Sequence, residues 1–345
     1  MINRRDFLTA SAAVVAGTVA ADEPPLKSSG SFGIVIHSYP IRSREKGFAH
    51  PANFLAFCKE RGADGIQLSL GQLAPDDAKA LRTVAEKQLM YVEGSIRPPK
   101  DKEDLDRFEK ELLTSKLSGA NVVRTVLSPG RRYEVFKTPK DYASFAENAL
   151  NSLRLAEPVL AKHQVTLAVE NHKDYRTDEM LAVMKAMSSE FIGVCIDTGN
   201  NIALLENPTE TVEALAPWTH SCHLKDMGVE DAADGFLLSE VPMGTGFLDL
   251  KRIVDVLKKA RPTIRFNLEM ITRDPLRIPY LSDEYWTTLE KVPGRDLARM
   301  VALVKKNGSK ELLPRTSKLS PKAQLAVEDE NVRVSLEFGR KKLGL

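Results

Sequence analysis

Between residues 31 and 305, short apolar runs of strand-forming residues alternate with segments of helical spacing, eight of each. The strand-like runs are 31–37, 65–69, 89–95, 121–127, 165–169, 191–196, 219–224 and 264–270. The helical segments are 51–61, 76–87, 102–117, 140–163, 177–188, 209–215, 249–259 and 295–305. Pro158 marks a break in the fourth helix, and Thr177 suits the N-cap of the fifth. Strict alternation with mostly short turns implies a parallel sheet covered by helices. Eight repeats suit a closed (β/α)8 barrel, for which ~250 residues is typical. An open doubly wound sheet needs a glycine-rich phosphate turn near its first strand, and the sequence has none there. The expected organisation is a barrel over 32–306 and an extension over 307–345. Ser320-Pro321 opens a helix in that extension, which runs to about Leu343. Its basic end, Arg340-Lys341-Lys342, reads as a solvated helix C-terminus rather than a site for an anionic partner.

The last four strands share a second pattern. Val165-Thr166-Leu167-Ala168-Val169 ends in Glu170-Asn171-His172. The next run ends in Asp197, the following one in His223, and the eighth in Glu269. In a barrel, residues at the carboxyl ends of the strands converge on one mouth. Three carboxylates and an imidazole make an oxygen-rich site. It suits one divalent ion, Mn2+ best, with Mg2+, Co2+, Fe2+ and Zn2+ also admissible. A closed structural site would more often use cysteine. His172, Asn200, Lys225, His37 and Arg124 stand near the same mouth and are candidate substrate-binding residues. Each has a structural alternative: a supporting hydrogen bond for His172, a salt bridge to Asp226 or Asp197 for Lys225, a strand-end ion pair for Arg124, and a turn cap for Asn200. Glu93 ends the third strand and could line the pocket, whereas His220 reads as structural. The stretch Arg273-Asp274-Pro275-Leu276, followed by Tyr285-Trp286, is either a lid over the site or a packed surface excursion. The loop 225–246 reads as extended.

A net charge of +2 leaves no footprint for nucleic acid or a membrane surface. Apolar content of 43% with 28% charged residues excludes a disordered chain. Asn3-Arg4-Arg5-Asp6-Phe7-Leu8 is a twin-arginine pattern, followed by an Ala-rich apolar run to Ala21. It reads as a signal peptide over 1–21 with a linker over 22–31. The implied destination is the periplasm or another exported location. The run is too short for a stable membrane anchor in the mature protein. Cys58, Cys195 and Cys222 lack paired spacing, so neither a disulfide framework nor a cysteine metal site is expected.

The chain resembles the xylose-isomerase-like sugar isomerases and epimerases, a TIM-barrel superfamily. The matching stretches are Gly62-Ala63-Asp64-Gly65-Ile66-Gln67, Val169-Glu170-Asn171-His172, Ile196-Asp197-Thr198-Gly199-Asn200, His223-Leu224-Lys225-Asp226, Met243-Gly244-Thr245-Gly246 and Leu268-Glu269. The resemblance implies Glu170, Asp197, His223 and Glu269 as metal ligands, and Glu170 and Glu269 as the catalytic pair on opposite sides of a substrate carbon. One takes a proton next to a carbonyl and the other returns one, while the metal stabilises the enediolate. The implied partner is a small carbohydrate; a homo-oligomer is left open. The chain departs from many ketose epimerases at Asn200, where they carry histidine, and at Gln67, where they carry glutamate. It also lacks the extra histidines of the DNA-repair branch, which argues against DNA incision. A lyase or hydratase acting on 3-keto-glycosides is the alternative reading, and a non-catalytic carbohydrate-binding barrel is a further one.

Overall fold

The computed structural model describes residues 31–128, 130–308 and 312–345. The twin-arginine pattern and the Ala-rich run lie outside them. The described residues contain eleven strands: β1 (Phe32–Val35), β2 (Gly65–Leu68), β3 (Tyr91–Ser95), β4 (Val122–Thr125), β5 (Thr166–Glu170), β6 (Ile192–Asp197), β7 (Thr219–Leu224), β8 (Asp226–Ala232), β9 (Gly235–Val241), β10 (Phe266–Leu268) and β11 (Leu276–Ile278). Strands β1 to β7 and β10 close into a parallel barrel in the order β1-β10-β7-β6-β5-β4-β3-β2. The expected (β/α)8 architecture is therefore observed. Apolar residues on these strands, among them Phe32, Ile34, Val92, Leu167, Val194 and Phe266, are buried in one continuous core. Cys58, Cys195 and Cys222 are free thiols, all buried.

Three expectations about connections are corrected. The loop 225–246 is a β-hairpin, β8 with β9, extended by antiparallel β11. The hairpin is held at its root by Asp226, whose carboxylate accepts from the backbone N–H groups of Met227, Gly244, Gly246 and Leu248 at 2.9, 2.9, 3.0 and 3.2 Å. A Cβ on Gly246 would lie 2.1 Å from Asp226 Oδ1, so only glycine fits against that carboxylate. The glycine turn thus holds the Asp226 carboxylate. The helix Pro139–His163 is continuous through Pro158, because its face from Ala149 through Leu153 and Ala156 to Leu160 is packed against the core. The N-cap of helix Thr177–Met187 is Arg176; its N–H donates to Glu179 Oε2 at 2.8 Å.

A further correction concerns the end of the chain. Helix Pro321–Phe338 occupies the place of the eighth outer helix of the barrel. Near the carboxyl ends of the strands, Glu328 accepts from the N–H groups of Ile41 and Arg42 at 2.7 and 2.9 Å, and Asn331 donates to Thr272 at 3.0 Å. At the opposite end Arg340 pairs with Asp64 at 2.7 Å, just ahead of β2. Lys258 donates to Gly344 O at 2.9 Å. The helix Gly294–Asn307, expected to complete the barrel, instead reaches over the mouth side: Asp296 pairs with Arg176 at 2.7 Å, and Gly308 bridges to Val229 of the hairpin. The helix Pro321–Phe338 and the residues after it are therefore packed against the barrel. The basic end of the chain is tied to the barrel floor through Arg340. No helix among the described residues is long and apolar enough to cross a membrane.

Candidate metal centre

Glu170 ends β5, Asp197 ends β6, His223 is the penultimate residue of β7, and Glu269 follows β10 directly. Parallel pairing puts Asp197 opposite His223, and Glu269 N–H donates to Leu224 O at 3.0 Å. Register alone therefore gathers four side chains from four adjacent strands. All four are buried, and one ligand atom from each lies within 4.8 Å of all the others.

The histidine tests whether the cluster suits a cation. His223 Nε2 lies 2.6 Å from Gln67 Oε1. Gln67 uses its amide nitrogen to donate to Glu93 Oε2 at 2.9 Å, so its oxygen is the acceptor and Nε2 carries the proton. In the neutral imidazole Nδ1 then keeps its lone pair. It is buried without a hydrogen-bond partner, 3.4 Å from Glu170 Oε2 and 3.3 Å from Glu269 Oε1. A buried nitrogen lone pair facing carboxylate oxygens is a poor arrangement unless a cation sits between them. The residues present fit a divalent ion. Glu93, which also accepts from Ser221 at 2.7 Å and Asn267 at 2.9 Å, anchors Gln67 from below. Gln67→Leu removes the acceptor that sets this tautomer. It is expected to weaken Mn2+ binding by about 10–100-fold, measured by calorimetric titration.

The remaining candidates fall into place around the ligands. Arg124 donates through Nε to Glu170 Oε2 at 2.6 Å and pairs with it again through Nη2. It is a strand-end ion pair rather than a free substrate contact. Asn200 donates to Glu170 Oε1 at 3.0 Å, so both oxygens of Glu170 are held. Burial works against charge on Glu170, yet Arg124 and then His223 pull its carboxyl down to about 2. Lys225 is buried between Asp197 Oδ2 at 2.6 Å and Glu269 Oε2 at 2.5 Å, with Glu240 at 3.7 Å. Its pairing with Asp226 does not occur, because that carboxylate is taken by the hairpin root. Burial raises Asp197 to about 6 against the pull of Lys225. His37 places Nδ1 3.1 Å from Glu269 Oε1, with its side chain 44% exposed. His172 lies beside the cluster with its ring Nδ1 buried and unpartnered. Burial drives His172 down to about 4. His220 lies 3.5 Å from Arg261 on the outer side and is structural.

Several residues of the site were not foreseen. Lys173 donates to Asn200 Oδ1 and is buried beside the ligands. Glu240 of β9 takes a two-pronged bond from Arg273, at 2.6 and 3.1 Å. Of the two readings of the segment from Arg273, the packed excursion is the one observed: β11 joins the hairpin, and buried Tyr285 donates to Ala203 O at 2.8 Å.

A closed eight-stranded barrel carrying a carboxylate–histidine cluster at its carboxyl mouth defines the class. The chain belongs to the xylose isomerase-like TIM barrel family, whose sequence profile matches residues 55–300. It is 34% identical over 105 residues to 3-oxo-isoapionate decarboxylase of Pectobacterium atrosepticum; the match spans 30% of this chain and 38% of that enzyme's length. The structure of D-psicose 3-epimerase superposes with a TM-score of 0.58 at 15% identity, covering 92% of this chain and all of that one. The 3-keto-D-glucoside 4-epimerase of E. coli superposes with a TM-score of 0.53 at 13% identity, covering 79% of this chain and 99% of that one. At these identities the two superpositions report a shared fold.

Proposed function

We propose that this protein is a metal-dependent enzyme that moves a proton next to a carbonyl of a sugar derivative, in the isomerase and epimerase class. The observation that carries the reading is the unpartnered Nδ1 of buried His223, with Glu170 and Glu269 facing it from separate strands. A divalent ion bound there supplies the Lewis acidity that stabilises an enediolate.

The protein's own groups divide the remaining work. Glu170 is held on both oxygens by Arg124 and Asn200, which aims it and shields it from solvent. Glu269 has one oxygen on Lys225 and the other on His37, whose ring reaches solvent. A proton taken by Glu269 therefore has a path outward through an imidazole, whereas one taken by Glu170 does not. This asymmetry fits a pair in which one carboxylate holds its proton and the other exchanges it with water. A second reading, cleavage of a C–C or C–O bond through the same enediolate, is favoured by two observations. One is the partial match to a decarboxylase. The other is the ion pair of Glu170 with Arg124, which holds that carboxylate in its charged, weakly basic form, since loss of carbon dioxide needs no base.

The test is incubation of the Mn2+-loaded protein with ketoses, 3-keto-glycosides and 3-keto sugar acids in deuterated water. Deuterium at one carbon with interconversion of the sugars is the expected result. Release of an aglycone or of carbon dioxide without interconversion selects the second reading. Bound sugar with neither exchange nor turnover rejects both.

A further inference from the structure

Lys173 is the one strong cation of this mouth, among the described residues, that the mouth's own pairing leaves over. Arg124 pairs with Glu170, Lys225 with Asp197 and Glu269, and Arg273 with Glu240. Lys173 donates to the neutral amide oxygen of Asn200, and no carboxylate of a described residue lies within the 4.0 Å of an ion pair. Its residue is only 4% exposed. Its backbone is also held at φ 64°, a left-handed conformation that disfavours any side chain and gathers at ligand sites. A buried ammonium with no carboxylate in ion-pair contact is unfavourable by itself. Here it is combined with backbone strain, one residue from the unpartnered buried Nδ1 of His172.

We infer that Lys173 is the docking point for a carboxylate on the substrate, so that the sugar derivative is a keto acid rather than a neutral ketose or glycoside. The geometry ties this point to the reactive centre: the same Asn200 that accepts from Lys173 donates to Glu170 at 3.0 Å. A group on Lys173 is thus one amide away from a ligand of the metal cluster, within the span of one small sugar. The charge also fits. One cation without an ion-pair partner matches one carboxylate, whereas a phosphate monoester brings about −1.5 to −2 and is gathered by helix N-termini or forked arginines. Arg124 and Arg273 are already engaged with Glu170 and Glu240.

This inference rests on the keto-sugar reading of the site, and the test separates the two. The full Mn2+-loaded chain is titrated calorimetrically with 2-keto-D-gluconate against D-fructose, and with 5-keto-D-gluconate against L-sorbose. Each pair differs only in a carboxylate for a hydroxymethyl group. The acid of at least one pair is expected to bind about 10–100-fold more tightly than its neutral counterpart, the worth of one charged hydrogen bond. Lys173→Gln should bring the pair within about two-fold, and Lys173→Arg should keep part of the preference. Both variants should still bind Mn2+ at least as tightly as the wild type, which shows that they are folded. No preference for either acid overturns the inference, and so does a preference that survives in Lys173→Gln. Deuterium exchange into neutral ketoses without acid preference removes this inference alone, whereas failure of the wild-type chain to bind Mn2+ removes the reading beneath it.

Discussion

Glu170→Gln is expected to lower the rate of solvent-deuterium exchange or turnover by about 10²–10⁴-fold, the range a positioned carboxylate contributes to proton transfer. The substitution keeps the shape of the side chain but takes away its charge. It also leaves the buried guanidinium of Arg124 facing an amide, where one of the two contacts to Oε2 now meets either an N–H or a weaker acceptor. Removing one member of a buried pair destabilises by about 3–5 kcal/mol. Lost activity alone is therefore ambiguous between chemistry and folding. The double variant Arg124→Met with Glu170→Gln resolves it, because no orphan charge remains. If that protein recovers its unfolding midpoint yet stays inactive, Glu170 acts in the reaction. Recovery of activity in the double variant would show that Glu170 matters only as the counter-ion of Arg124. Full activity with bound metal in the single variant would remove Glu170 from the mechanism altogether.

Glu170 and its three companions were legible because each interrupts an apolar strand with a polar end, and the barrel supplies one common mouth for such ends. Gln67 was noticed only as a departure from related sequences. Its role depends on Glu93 and His223, from β3 and β7, and only closure of the barrel brings those three together. Lys173 resembled an ordinary solvated loop lysine; nothing local marks its burial or its left-handed backbone. The hairpin β8–β9 did carry a signal, the Asp234-Gly235 pair at its turn, which was outweighed by the length of the surrounding segment. The terminal helix was harder to place. Its buried face includes Glu328 and Ser335 as well as Val332 and Leu336, so the apolar stripe that marks a barrel helix is broken by two polar residues. Both answer backbone or side-chain groups of the barrel, Glu328 at Ile41 and Arg42 and Ser335 at Met243.

Lys225→Met should produce the largest loss of stability, and the loss should depend on metal. The ammonium lies between Asp197 and Glu269, with Glu240 next nearest, and all of these groups are buried. Burial opposes charge on Glu269, and Lys225 is the foremost influence holding its carboxyl well below the usual range, ahead of His223. Without Lys225 the metal-free cluster keeps Glu170 balanced by Arg124, and Glu240 by Arg273, while Asp197 and Glu269 face each other uncompensated. A deficit of about 3–5 kcal/mol in chelator is expected from chemical denaturation. A divalent ion restores two positive charges to the same carboxylates. Saturating Mn2+ stabilises wild type and variant alike, by about 2.7 kcal/mol at a hundred-fold excess over each one's own Kd, so the deficit should narrow by as much as the variant binds the ion more tightly. Lys225 also repels a cation held by Asp197 and Glu269, so the variant should bind Mn2+ at least as tightly as the wild type. A deficit of equal size with and without Mn2+ would mean that Lys225 does not compete with the ion for Asp197 and Glu269. A Kd about a hundred-fold tighter in the variant narrows the deficit by about 2.7 kcal/mol, well beyond the error of a denaturation midpoint.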